Sequence, residues 1–129
     1  MFSTKQKDLA VQMWEEIKDR IEEEPDREIE RFKLLFCKEH GVKWKCNCIL
    51  CEAYHDSPSC SIECPLMRKA MDKYGDEMKE RGINCGCSNR IVSDYAIALD
   101  IDQHFNRGHY SLEKRLKAID NIIKAIKEA

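Results

Sequence analysis

The chain has no apolar run approaching the roughly 18 residues needed to span a bilayer, which argues against a membrane protein. Its first residues, MFSTKQKDLAVQMWEE, hold no apolar core of about 7–15 residues, so no secretory signal is expected there. Positive charge is not in surplus. Lys and Arg number 22 against 24 Asp and Glu, for a net charge of −2, which speaks against a globally basic nucleic-acid binder. Internal repeats and low-complexity linkers are also missing, and for 129 residues one domain, 1–129, is the economical reading. Enzyme signatures are equally scarce. There is no GxSxG, P-loop, GxGxxG or HExxH. The zinc-deaminase signature fails because no glutamate stands two residues after a histidine and Cys64 precedes Pro65 rather than following it. Cys48-x2-Cys51 lacks the alternating strands and helices of a thioredoxin-like redox protein. The expectation is a protein that is not an enzyme.

What is present is a narrow core, a heavily solvated surface and a dense block of thiols. Hydrophobic residues make up 43% and charged residues 36% of the chain, with a mean hydropathy of −0.61. All eight cysteines lie between Cys37 and Cys87. The expected fold is mainly α, a small helical domain with a central loop-rich, cysteine-coordinated zinc module. Three parts are expected: N-terminal helices over 1–41, the cysteine module with an embedded helix over 42–88, and C-terminal helices over 89–129.

The helical parts follow from periodicity. Ser3 and Gln6 form a candidate capping box, and Leu9, Met13, Trp14, Ile17 and Ile21 recur at helical intervals. Pro25 is expected to open a second helix that carries Ile29, Phe32, Leu35 and Phe36 and ends near Gly41. Residues 15–30 hold nine acids against Lys18, Arg20 and Arg27, a local charge of −6, read as a solvated face or an acidic docking surface. Beyond Pro65, the stripe Met67, Ala70, Met71, Tyr74 and Met78 predicts the embedded helix, which Gly82 ends. A helix over about 90–105 follows, broken at Asn106, Arg107 and Gly108. The last helix starts at Ser111 as N-cap. Its Leu112, Leu116, Ile119, Ile123 and Ile126 form a short a/d seam suited to packing or to homodimerisation.

Eight cysteines fit four disulfides, two tetrahedral metal sites or a cluster. In a reducing cytosol, the expected compartment, structural disulfides rarely persist. Cysteines two residues apart do not readily pair with each other, yet both can point into one metal centre. Zinc is the default, because four thiolates close a tetrahedral structural site. The sharpest quartet is Cys48, Cys51, Cys60 and Cys64, whose second pair stands just before a helix start, where the dipole favours negative charge. Cys37, Cys46, Cys85 and Cys87 form a looser second set, in which His40 is an alternative ligand. One or two zinc ions are therefore expected, and an iron–sulfur cluster, which uses the same sets of four, is the lesser alternative. His55 lies among the cysteines and is a lesser candidate ligand that reads first as a loop residue, and His104 and His109 read as surface or interface residues.

Binding is the better functional class. Lys43, Trp44 and Lys45 interleave basic and aromatic groups as nucleic-acid-contacting knuckles do. Residues 31–69 carry +3 and residues 107–127 carry +4, so a basic remainder balances the acidic first third. Packing of Trp44 on the metal module, nucleic-acid contact and burial against a protein partner all suit these residues.

The stretch CILCEAYHDSPSCSIECPLM resembles a block found in small cysteine-rich bacteriophage proteins. These carry a Cys-x2-Cys-Glu knuckle with a tyrosine close behind, then Cys-x2–3-Cys-Pro, between a tryptophan-bearing helix and a closing Ala-Ile-x2-Ile helix. The matching positions are Trp14, Cys48, Cys51, Glu52, Tyr54, Cys60, Cys64, Pro65, Ala118, Ile119 and Ile122. Cys37, Cys46, Cys85 and Cys87 lie beyond the pattern. The resemblance is specific over residues 48–67 and implies a phage accessory protein, acting in the host cytoplasm by binding a host or anti-phage defence protein. It brings no catalytic activity with it.

Overall fold

The computed structural model describes residues 3–43, 72, 75, 76, 79, 80, 94–100, 108 and 110–128. Within these, four helices are defined: α1 (Thr4–Glu23), α2 (Ile29–Glu39), α3 (Asp94–Leu99) and α4 (Leu112–Lys127). No strand occurs among the described residues, and the described part of the chain is mainly helical.

α1 begins where the capping box is expected. The Ser3 hydroxyl accepts the Gln6 amide at 3.1 Å, and the Ser3 amide donates to Gln6 Oε1 at 2.9 Å, so two of the four orphaned amides of the first turn are satisfied. Ala10, Met13, Trp14, Ile17 and Ile21 are fully buried along one face, and Leu9 packs against them. Each large side chain so buried contributes about 1.5–3 kcal/mol of transfer free energy.

Pro25 does not open the second helix. It occupies the second position of a turn closed by the Arg27 amide donating to the Glu24 carbonyl at 3.1 Å, a position its fixed φ suits, and α2 begins after Glu28, which stands at the N-cap position without a side-chain cap bond. α2 then buries Ile29, Phe32, Lys33, Phe36 and Cys37, spaced three, one, three and one apart as a helical face requires. Its end is the one expected. Gly41 takes φ 65°, a left-handed conformation that costs glycine little. The Val42 amide donates to the Cys37 carbonyl at 3.0 Å, the long bond of a Schellman motif, while Val42 itself packs on the core.

Asp72, Gly75, Asp76, Lys79 and Glu80 are helical, within the span expected for the embedded helix. All but the half-buried Gly75 are exposed, and the expected apolar stripe falls on positions outside the described residues. Of the helix expected over 90–105, residues 94–100 are described, and α3 ends before the expected 105. It stops at Leu99 because Asp100 adopts φ 59°, which ends the helical path, and its carboxylate accepts the Gly108 amide at 2.8 Å and the Tyr110 amide at 3.0 Å. α4 starts on Ser111, whose hydroxyl accepts the Lys114 amide at 3.2 Å.

α1 packs on α2 and α4, and α4 packs on α3. The core lies between them, and Ile119, Ile122 and Ile126 of α4 are fully buried in it with Ala118, Ile123 and Ala125 almost so. Of the two uses open to the Leu112–Ile126 seam, the fold takes packing: Ile119, Ile123 and Ile126 lie inside the single chain, and Leu112 and Leu116 pack at the edge of its core. A homodimer through that seam would have to displace the chain's own helices.

Candidate metal centre

In sequence, the cysteine segment begins after α2 and ends before α3. Both flanking helices are anchored. At the first, the Schellman turn holds the backbone, His40 Nε2 lies 2.9 Å from Glu16 Oε2 of α1, and the His40 ring stacks on Phe36 with centroids 4.2 Å apart. Arg20 of α1 pairs with Glu39 alongside. At the second, Asn121 of α4 donates to Asp94 Oδ1 at 3.2 Å, and Arg115 Nε donates to the Ala98 carbonyl at 3.1 Å. The N-terminal and C-terminal helices meet directly, α1 against α4, with Lys18 of α1 bonded to Asp120 of α4 at 2.8 Å. The chain thus forms a helical clasp, and a segment carrying seven of the eight cysteines lies between its elements in sequence.

Of the expected ligands, Cys37 and His40 are within the described residues. Cys37 is in the last turn of α2 and only 8% exposed; His40 is three residues on, with its Nε2 committed to Glu16. As a ligand His40 would have to use Nδ1 or release that bond. Among the described residues no three His, Cys, Asp or Glu side chains come together as a metal site. Cys46, Cys48, Cys51, Cys60, Cys64, Cys85 and Cys87, and with them Trp44 and Lys45, lie outside the described residues. Lys43 is exposed at the start of the segment. The donor set is almost all thiolate, which fits zinc in a closed structural site or an iron–sulfur cluster.

No protein-family model, curated protein or solved structure matches this chain.

Two cations are placed differently from their sequence reading. Lys33 and Arg115 count towards the basic stretches of 31–69 and 107–127, yet they are only 2% and 5% exposed. Lys33 Nζ lies over the Trp14 ring, 5.5 Å from its centroid. Arg115 bridges three elements, bonding the Ala98 carbonyl at the end of α3 and, through a terminal nitrogen at 2.9 Å, the Pro25 carbonyl in the α1–α2 turn. Guanidinium donors at a helix C-terminus also meet its partial negative charge. The sequence does hold a signal for both: each cation falls in register with the apolar stripe of its own helix. Lys114, Lys117, Lys124 and Lys127 of α4 are exposed, with Lys114 Nζ 5.8 Å above the Tyr110 ring, so the usable positive charge on this helix is smaller than its composition suggests.

Among the described residues no helix is long and apolar enough to cross a membrane.

Proposed function

We propose that this protein is a zinc-stapled, non-enzymatic accessory protein of phage type, which binds and modulates a host or anti-phage defence protein. The observation that supports the reading best is the clasp itself. Two helices from opposite ends of the chain pack on each other, and their side chains bond to α2 and α3, the elements that flank the cysteine-dense segment in sequence. Metal bound by Cys48, Cys51, Cys60 and Cys64, with a second ion on Cys37, Cys46, Cys85 and Cys87, then supplies the folding free energy that a loop-rich segment lacks. In this reading the segment acts by shape and surface, with Lys43, Trp44 and Lys45 at its start as contact residues. A buried aromatic flanked by cations is a common interface anchor. The reducing cytoplasm is the compartment in which such thiolates persist as metal ligands.

The exposure of Lys43 and the basic-aromatic order around Trp44 keep a second reading, a zinc-containing nucleic-acid regulator. The two separate by salt. Phosphate contacts release counterions, so nucleic-acid affinity falls steeply as salt rises. The experiment is a gel-shift series with duplex and single-stranded oligonucleotides at increasing salt, run beside affinity capture from host lysate with wild-type protein and the Cys51→Ser variant. Metal-dependent capture of a discrete protein and no gel shift is the expected result. A salt-sensitive gel shift lost in Trp44→Ala would replace protein binding with the nucleic-acid reading.

A further inference from the structure

His40 stands at the C-terminal end of α2 with its ring held on two sides. Phe36, one turn earlier, stacks on its face with centroids 4.2 Å apart, and Glu16 Oε2 of α1 lies 2.9 Å from Nε2. An ionised carboxylate only accepts, so Nε2 carries the proton and the lone pair of the neutral ring is on Nδ1. Among the described residues nothing bonds that nitrogen. The His40 side chain is 29% exposed, whereas Cys37 is 8% exposed and lies on the buried face of α2 with Phe36 and Lys33. Glu16, Cys37 and His40 do not gather into one metal-binding group, so the two candidate ligands of α2 are alternatives to each other.

We propose that His40 is a metal ligand through Nδ1, in the place otherwise given to Cys37, and that Glu16 of α1 is its positioning residue. The inference rests on the reading above that the cysteine segment binds metal, and it names the atom of the helical clasp that meets the ion. A carboxylate on the far nitrogen is the arrangement that orients a metal-bound histidine: it fixes the tautomer, holds the ring plane and raises the basicity of the ligating nitrogen. Neutral imidazole suits zinc alongside thiolates. The bond to Glu16 is kept on binding, since the ion takes the lone pair of Nδ1 and leaves the Nε2 proton in place. Place in the chain agrees with this chemistry, because Cys46, Cys48 and Cys51 follow His40 within eleven residues.

The test uses the full chain, loaded with an NMR-active cadmium isotope in place of zinc and carrying labelled histidine nitrogens. A scalar coupling between cadmium and Nδ1 of His40 is expected, with the Nε2 proton retained, and it should vanish in His40→Ala. Zinc competition against a chelator supplies a second readout. Glu16→Ala should weaken binding of one ion about 10–100-fold, and Glu16→Gln, whose amide oxygen still accepts from Nε2, should recover most of the loss. Arg20→Ala removes the neighbouring pair between α1 and α2 and should leave zinc affinity unchanged, which separates positioning of the ligand from tethering of the helices. Helical circular dichroism checks that each variant folds. Bound cadmium with no coupling to His40 Nδ1, or equal losses in Glu16→Ala and Arg20→Ala, would overturn this proposal and leave the function proposed above standing. A chain that takes up neither cadmium nor zinc would overturn both. If Glu16→Ala does not fold, the wild-type coupling and Glu16→Gln decide.

Discussion

Lys33 and Arg115 carry charge into a core otherwise built from Trp14, Phe32, Phe36 and the isoleucines, and each is tolerated for a stated reason. Lys33 sits on the electron-rich face of Trp14. Arg115 satisfies carbonyls of α3 and of the α1–α2 turn that would otherwise lose their partners. Arg115→Ala should therefore destabilise by about 1–3 kcal/mol for the Ala98 carbonyl left buried and unbonded, measured by urea unfolding, whereas an exposed control such as Lys117→Ala should change stability by less than about 0.5 kcal/mol. A second residue-scale consequence concerns pH. The hydrogen bond to Asp120, helped by its charge and by Glu22 and Asp19 and opposed by partial desolvation, raises Lys18 above its ordinary 10.5. A raised folded value means that this stabilisation is complete below about pH 10.5 and is lost as pH climbs through the folded value. Both side chains are part-exposed, so the effect is below about 1 kcal/mol. Comparing the pH dependence of unfolding between wild type and Asp120→Asn should show the alkaline loss reduced in the variant.

Helix starts were legible where a serine caps them. Ser3 with Gln6 and Ser111 each announce a cap by residue type and spacing, and both caps form. Ser3→Ala should cost about 1 kcal/mol, read as a lowered thermal midpoint and as fraying of the first turn in amide exchange. Gly41 likewise signals its own positive φ. Two boundaries were misread because a local rule was overridden. Pro25 suits a first helical turn, but it equally suits the second position of a β-turn, and the turn between Glu24 and Arg27 uses it there. The periodicity around Leu99 runs on through Phe105 in sequence, but Asp100 takes a left-handed conformation. That conformation is held by two amides eight and ten residues away, a tertiary cause with no local trace. Asp and Asn are the non-glycine residues that most readily tolerate this region, which makes Asp100 recognisable only once its partners are known.

At the scale of the molecule, the apolar stripes of α1, α2 and α4 were enough to place the core, because each is long, periodic and one-sided. The use of the α4 seam was not decidable from α4 alone: an a/d pattern is the same whether its partner is a second copy or the chain's own α1 and α3, and the fold supplies the latter. The candidate metal site was legible as chemistry rather than as geometry. Thiolate spacing names a donor set, but which four cysteines share an ion depends on how the segment returns to the clasp, and that grouping is not written in spacing. Only Cys37 and His40 are tied to described structure, and there the bond from His40 Nε2 to Glu16 leaves Nδ1 as the nitrogen that His40 could offer, an orientation that a carboxylate partner often gives a histidine ligand. The proposed function depends most heavily on the cysteine segment being held by metal. The direct measurement is elemental analysis of protein purified anaerobically, combined with thiol titration before and after chelation, on wild type and Cys51→Ser. The prediction is one or two zinc ions per chain with thiols shielded until the chelator is added, and a Cys51→Ser variant that loses one ion and much of its thermal stability. Eight freely reactive thiols with neither zinc nor iron bound would contradict it.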